Sequence, residues 1–204
     1  MSQNPMDDSY LTFARESEGL YKDRGSKFHF FGFPVQSEEE IKIKLSELKK
    51  VYFDASHHCY AWILGKEGIH FRANDDGEPN HSAGDPILGQ IRSHKLTNVL
   101  IVVVRYFGGT KLGVSGLIQA YKTSAQMAIE SNEIVSQFLQ KQVRLKFPYE
   151  AMNEVMKMVK SLDLSIIEQE MHLNCEIVLK FRAGLKEEVE NRVLDMESVE
   201  LLSD

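Results

Sequence analysis

Cysteine is scarce. The 204-residue chain has two, Cys59 and Cys175, far apart and in no metal-type or redox-type spacing. A disulfide framework is therefore excluded, and two reduced thiols buried as small apolar residues are expected. Long apolar runs are also missing. The longest, Val99–Val104, is six residues, against about 20 for a membrane-spanning helix. Met1–Tyr10 is polar and acidic rather than basic and then apolar, so no secretory signal is expected and the cytoplasm is the expected compartment. Internal repeats and low-complexity segments are absent too. What is there is ordinary for a globular protein: 43% apolar and 26% charged residues, in a length suited to two small domains.

The net charge of −6 argues against a general polyanion binder. Acidic residues are nevertheless lacking over one long window. Between Asp85 and Glu130 there is none, while Arg92, Lys95, Arg105, Lys111 and Lys122 give that window +5. An acidic chain with one basic stretch can present a local anion-binding surface, unless acids from elsewhere fold over it. From 141 to 204 the balance reverses, with 9 basic and 13 acidic residues.

Coarse periodicity organises the chain. Residues 1–20 read as a polar lead with a short amphipathic turn near Tyr10–Ala14. Lys27–Val35 reads as a strand. Ser37 and Glu40 form a capping box ahead of a helix with Ile41, Leu45, Leu48 and Tyr52 inward. His57–Leu64 and Ile69–Ala73 read as a hairpin. Asn74–Asp85 is turn-forming, and Pro86–His94 is helical. Asn98–Phe107, with its continuous run of β-branched and aliphatic residues, predicts a strand buried on both faces. A helix from Val114 to Asn132 puts Leu117, Tyr121, Ser124 and Ala128 on one face. Beyond it, strands at Gln142–Phe147, Ser165–Glu170, His172–Phe181 and Glu197–Leu201 alternate with helices at Tyr149–Ser161 and Gly184–Leu194. In the first of these helices Met152, Val155, Met156 and Val159 face inward. That β-α-β-β-α-β order predicts a ferredoxin-like unit.

The strongest local signal is RYFGGTKLGVSGLIQAY, Arg105–Tyr121. A buried strand ends, Gly108, Gly109, Gly113 and Gly116 follow, and a helix begins. Free amides at a helix start attract anions. Arg105, Tyr106, Gly108, Gly109, Lys111, Gly113, Gly116 and Lys122 are therefore the candidate anion- or nucleic-acid-binding residues. The P-loop pattern fails, because Val114 stands where its lysine belongs. No frame gives a dinucleotide fingerprint. Ser115 is not in a nucleophile elbow. Gly113–Gly116 is a GxxG turn of the kind some RNA-binding modules use. The alternative is that the glycines serve only a tight turn and close packing.

A second candidate is a polar cluster of His57, His58, Asp76 and Glu78. Adjacent histidines on a strand point to opposite faces, so at most one serves a given site. No pair has metal-ligand spacing, and the seven histidines are scattered. No metal and no cofactor is expected. Trp62 and Tyr60 share a strand face and read as core, with base stacking the sharper alternative.

Three blocks carry a family resemblance: HHCYAW (57–62), DDGEPNHSAGDPIL (75–88) and VVVRYFGGTKLGVSGLIQAY (102–121). In this order they resemble the signature regions of the YigZ/IMPACT family, in its two-domain bacterial form. The resemblance implies an α+β protein. A polar lead (1–14) would precede an IMPACT-type domain (15–137), similar to domain 2 of ribosomal protein S five, with a left-handed crossover. A ferredoxin-like domain (138–204), similar to domains of elongation factor G, would follow. It also implies a link to translation, since eukaryotic members act in control of initiation through a kinase-activating partner. The expectation is a non-catalytic, translation-associated regulator that binds RNA or a ribosome-associated protein and does not enter a membrane. Two alternatives stand beside it: an enzyme using the His57/His58 and Asp76/Glu78 cluster, and a protein-interaction regulator with no nucleic-acid role. The sequence leaves the oligomeric state open.

Overall fold

A computed structural model describes residues 8–202. Residues 1–7 of the expected polar lead lie outside the described residues. The chain divides into two compact units, one spanning Tyr10–Gln137 and one running from Phe138 onward that also takes in Asp8 and Ser9. No helix among the described residues is long and apolar enough to cross a membrane. The architecture is α+β in both units.

The larger unit runs β1 (Ser9–Phe13), β2 (Ser17–Asp23), β3 (Ser26–Pro34), α1 (Glu38–Val51), β4 (His57–Leu64), β5 (His70–Asn74), α2 (Gly84–Ser93), β6 (Val99–Tyr106), α3 (Gly113–Glu130) and β7 (Ile134–Phe138). Its main sheet has the order β2-β3-β6-β4-β5, with every neighbouring pair antiparallel. The apolar run of β6 takes the central place, where neither face meets water. Leu100, Val102 and Val104 face one way and pack with Phe31, Phe33, Trp62 and α1's Ile41 and Leu48. Val99, Ile101 and Val103 face the other way and pack with Phe28, Phe30, Cys59, Ile87 and Ile91 of α2, and Leu117, Tyr121 and Ala125 of α3. Helices thus cover both faces of the sheet. Trp62 and Tyr60 lie on the α1 side, Trp62 buried and Tyr60 packed against the cluster, as the core reading expects.

The helix starts and stops follow their caps. Ser37 Oγ accepts from Glu40 N at 3.2 Å, and acids fill α1's first turn while Lys49 and Lys50 close its last. Glu40 differs from the capping-box expectation: its carboxylate accepts from Gln36 N at 2.7 Å, one residue before the cap.

The reading of residues 10–20 as a polar lead is corrected. Tyr10–Phe13 belongs to β1, which pairs with β7, and Thr12 and Phe13 are buried. β2 then forms the edge of the main sheet. Its inward positions are Ser17, Gly19 and Tyr21, so it carries no apolar alternation. A Cβ on Gly19 would lie 2.3 Å from the Phe30 ring, and that ring fills the space a larger residue would need.

The smaller unit runs β8 (Gln140–Pro148), a 3-10 turn, α4 (Met152–Ser161), β9 (Ser165–Glu170), β10 (Asn174–Arg182), a second 3-10 turn, α5 (Lys186–Leu194) and β11 (Glu200–Leu202). The antiparallel order β11-β8-β10-β9 is the ferredoxin-like arrangement. Leu145, Phe147, Ile177, Leu179 and Phe181 pack against Val155, Met158 and Val159 of α4 and Val189 and Val193 of α5. Met156 is a correction: it is 39% exposed, and Met158 is buried in its place. Three and four residues on from Val155, Met158 and Val159 share its face, whereas Met156 is rotated away.

Candidate nucleic-acid interface

The DDGEP segment is a loop whose acids hold the protein's own backbone. Asp75 Oδ1 accepts from Ala83 N (2.9 Å) and Gly84 N (2.8 Å), and its Oδ2 accepts from His81 N (2.8 Å). Asp75 therefore caps the start of α2, satisfying amides that no local side chain reaches. Asp76 Oδ2 accepts from His58 N at 2.7 Å, tying the loop to β4. Asp76 and Gly77 both have positive φ, which makes the tight turn. His57 Nδ1 donates to the Asp76 carbonyl at 2.8 Å.

That turn delivers Glu78 inward. Its Oε1 accepts from Arg105 Nη1 at 2.6 Å and from the Tyr121 hydroxyl at 2.8 Å. The Glu78 and Arg105 side chains are 4% and 6% exposed, so this is a buried ion pair. Arg105 Nη2 lies 3.4 Å from Ser26 Oγ, and the guanidinium sits 5.5 Å from the Phe28 ring and 5.7 Å from that of Phe107. Cys59 Sγ is 3.0 Å from the Asp75 carbonyl and 3.3 Å from the Tyr121 oxygen. Burial pushes both the Cys59 thiol and the Tyr121 hydroxyl far above their ordinary ranges, so neither ionises near neutrality.

The expected polar cluster divides at the sheet. His57 pairs across from Arg105, on the α3 side, with Nε2 3.9 Å from Glu78 Oε1. His58 pairs across from Val104, on the α1 side, and burial lowers its pKa. Its backbone amide donates to Asp76, and its Nδ1 lies 3.9 Å from Asp76 Oδ2. His57, Glu78 and Arg105 come together, with Tyr121, Cys59 and Ser26 as partners the sequence reading missed. Tyr121 was legible only as a core position, and Ser26 lies 79 residues from Arg105 with no local signal. Among the described residues no group of three or more His, Cys, Asp or Glu is placed to hold a metal ion.

Arg105, expected in the anion-binding set, is instead committed to Glu78. The other seven residues of that set divide three ways. Tyr106 donates to Asp54 Oδ1 at 2.6 Å, and that acceptor pushes its pKa up to about 12. Gly108 is a packing glycine: a Cβ there would lie 1.9 Å from the Gly25 carbonyl carbon, and its amide donates to Ser26 Oγ at 3.2 Å. Gly116 is half-buried, its Cβ position 3.1 Å from Leu112. Gly109, Lys111 and Gly113 are exposed together around the start of α3, where no side chain caps the helix and no acid lies in its first turn. Lys122 is exposed two turns further along the same helix, about 10 Å beyond Ser115.

Residues 24–129, just over half of the chain, match the Impact N-terminal domain. The chain belongs to the IMPACT family. The matched stretch contains every residue of the buried cluster and of the glycine loop. Among relatives of this IMPACT-family chain, YvyE of Bacillus subtilis (strain 168) is 35% identical over 131 residues, covering 64% of this chain and 60% of YvyE. An IMPACT family member of Haemophilus influenzae is 27% identical over 168 residues, 80% of this chain and 82% of that protein. YigZ of Escherichia coli (strain K12) is 37% identical over 93 residues, 45% of this chain and 46% of YigZ. The aligned stretches thus span about half to three-fifths of YigZ and YvyE. A crystal structure described as that of a hypothetical protein superposes with a TM-score of 0.76 at 25% identity, covering 98% of both chains.

Proposed function

We infer that this IMPACT-family chain is a non-catalytic, translation-associated regulator that binds RNA through the exposed loop at the start of α3. One observation carries the reading. Gly109, Lys111 and Gly113 are exposed around the start of α3, where no side chain caps the helix and no acid lies in its first turn. A helix start without a side-chain cap and a lysine beside it favour a phosphate. Family membership supplies the translation context. The buried cluster supports the non-catalytic side of the reading. Glu78 Oε1 accepts from both Arg105 Nη1 and the Tyr121 hydroxyl in the interior, and the carboxylates of Asp75 and Asp76 accept from backbone amides. Groups so committed are poorly available to a substrate.

Fluorescence anisotropy with labelled ribosomal RNA fragments tests the reading. The expected result is measurable binding at low salt that weakens steeply as salt rises. Lys111→Glu reverses one charge in the loop and is expected to weaken binding about tenfold. Absence of RNA affinity at low salt rules the reading out.

A further inference from the structure

The acid-free window is not the only source of positive charge near this loop. β2 and β3 form a hairpin whose two-residue turn is Arg24–Gly25, with φ of 45° and 83°. Two positive φ values in succession make a type I′ turn, which favours Asn-Gly. Arginine at the first position is therefore locally unfavourable. Lys22 and Lys27 stand directly opposite each other across the same hairpin. Their Cβ atoms are about 5 Å apart in such a pair, where like charges repel. None of Lys22, Arg24, Lys27 and Lys111 has a carboxylate within 4.0 Å among the described residues. The nearby acids are otherwise placed. Asp23 pairs across from Ser26 on the opposite sheet face, and Asp54 accepts from Tyr106. Two features that cost the fold something, close together and uncompensated, mark a surface kept for a ligand.

The hairpin tip is joined to the glycine loop. Gly25 and Ser26 press against Gly108 so closely that no side chain fits between them, and Lys27 pairs across from Tyr106. Phe107, 51% exposed, immediately precedes Gly108 at that contact, just past the end of the strand that leads into the loop carrying Lys111. We propose that Lys22, Arg24 and Lys27 form the second half of a single-stranded RNA site. The lysine pair takes backbone phosphate and Phe107 offers its open face to a base. Alternating cations and an exposed ring suit a single strand, because a duplex hides the faces of its bases. The occupant is anionic by charge complementarity: a chain of net charge −6 concentrates four unpaired cations on two adjoining segments. This rests on the RNA-binding reading above and extends it to residues outside the acid-free window.

Anisotropy with labelled oligouridylate, across a salt series, tests it on the full chain. For Lys22→Gln/Lys27→Gln the expected result is affinity about tenfold lower and a salt slope shallower by about 1.4, the value for two lost phosphate contacts on a single strand. For Phe107→Ala the expectation is affinity about tenfold lower with the slope unchanged, since stacking carries no counterion release. The double lysine variant is expected to melt at or above the wild type, because a repulsion is removed. If it binds as the wild type does while Lys111→Glu binds weakly, the hairpin has no part in the site and this proposal falls, leaving the loop reading intact. A melting temperature well below the wild type assigns the lysines to the fold and overturns it also. Duplex RNA binding as tightly as the single strand removes the stacking role. If the wild type binds no RNA, the reading beneath both fails.

Discussion

Arg105 carries the main lesson at the scale of single residues. Counted along the chain, it is one of five cations in an acid-free window. Folded, it is neutralised by Glu78, which comes from a turn 27 residues earlier. Charge patterning reads a residue's neighbours in sequence, whereas a buried ion pair depends on partners the topology brings. The Asp-Gly-Glu turn was legible; that its glutamate points inward was not, because Tyr121 and Arg105 meet it from separate elements. Removing one partner of such a pair leaves the other charged and buried. Glu78→Ala is therefore expected to destabilise the chain by about 3–5 kcal/mol. Glu78→Leu with Arg105→Met replaces the pair by apolar groups and is expected to cost less than Glu78→Ala alone. Urea denaturation checks both. RNA affinity of the double variant is expected to fall less than that of Lys111→Glu, since the Arg105 side chain is buried and meets the proposed site only through the Phe107 ring. A loss comparable to that of Lys111→Glu would return Arg105 to the binding set.

Elements were legible in proportion to their apolar signal. β6 and its two-faced burial follow from six consecutive aliphatic residues, and α3's inward face from the spacing of Leu117, Tyr121, Ser124 and Ala128. β1, β2 and β7 were not visible, because edge and ribbon strands bury few large side chains. The glycine loop was legible as a loop but not in its division of labour. Gly108 and Gly113 separate the two readings the sequence left open. At Gly108 a methyl group meets backbone on β3's side, and backbone cannot swing away as a side chain can. Gly108→Ala is expected to cost about 1–3 kcal/mol, the range for overpacking, and to shift the hairpin away from the loop. Gly113 has φ of 74° and open space around it, so Gly113→Ala meets only the left-handed backbone penalty, about 1–2 kcal/mol. Thermal melts rank the two. RNA binding separates them further: Gly108→Ala is expected to weaken it strongly by parting the two segments, and Gly113→Ala to weaken it less, because only the loop backbone is strained.

At the scale of the whole molecule, chain order and compact units do not coincide. Asp8 lies near the start of the chain yet belongs with the unit that begins at Phe138. Its carboxylate accepts from Arg182 Nε and Nη2, the latter at 2.6 Å, and from Gly184 N at 2.8 Å, while the Arg182 guanidinium lies 3.7 Å from the centre of the Phe138 ring. The hydrogen bonds from Arg182 hold the Asp8 carboxyl below its ordinary value of 3.8. A group whose pKa is lower in the folded state stabilises that state above its unfolded value, and the contribution is lost as pH falls through the folded one. The Asp8 contribution is therefore full at neutral pH and disappears only in acid, below about 3.8. Arg182 is 46% exposed, so solvent screens part of the interaction. Asp8→Asn is expected to lower the stability of the Phe138–Leu202 unit by about 1–3 kcal/mol at neutral pH, by losing charge-assisted hydrogen bonds. The deficit is expected to be full at pH 7 and smaller at pH 3, below the ordinary carboxyl value of 3.8, because it is lost as pH falls through the folded-state value. Urea melts followed by probes in each unit, at both pH values, check this. An equal loss in the Tyr10–Gln137 unit, or a deficit that persists in acid, would mean that Asp8 acts through something other than its charge on Arg182.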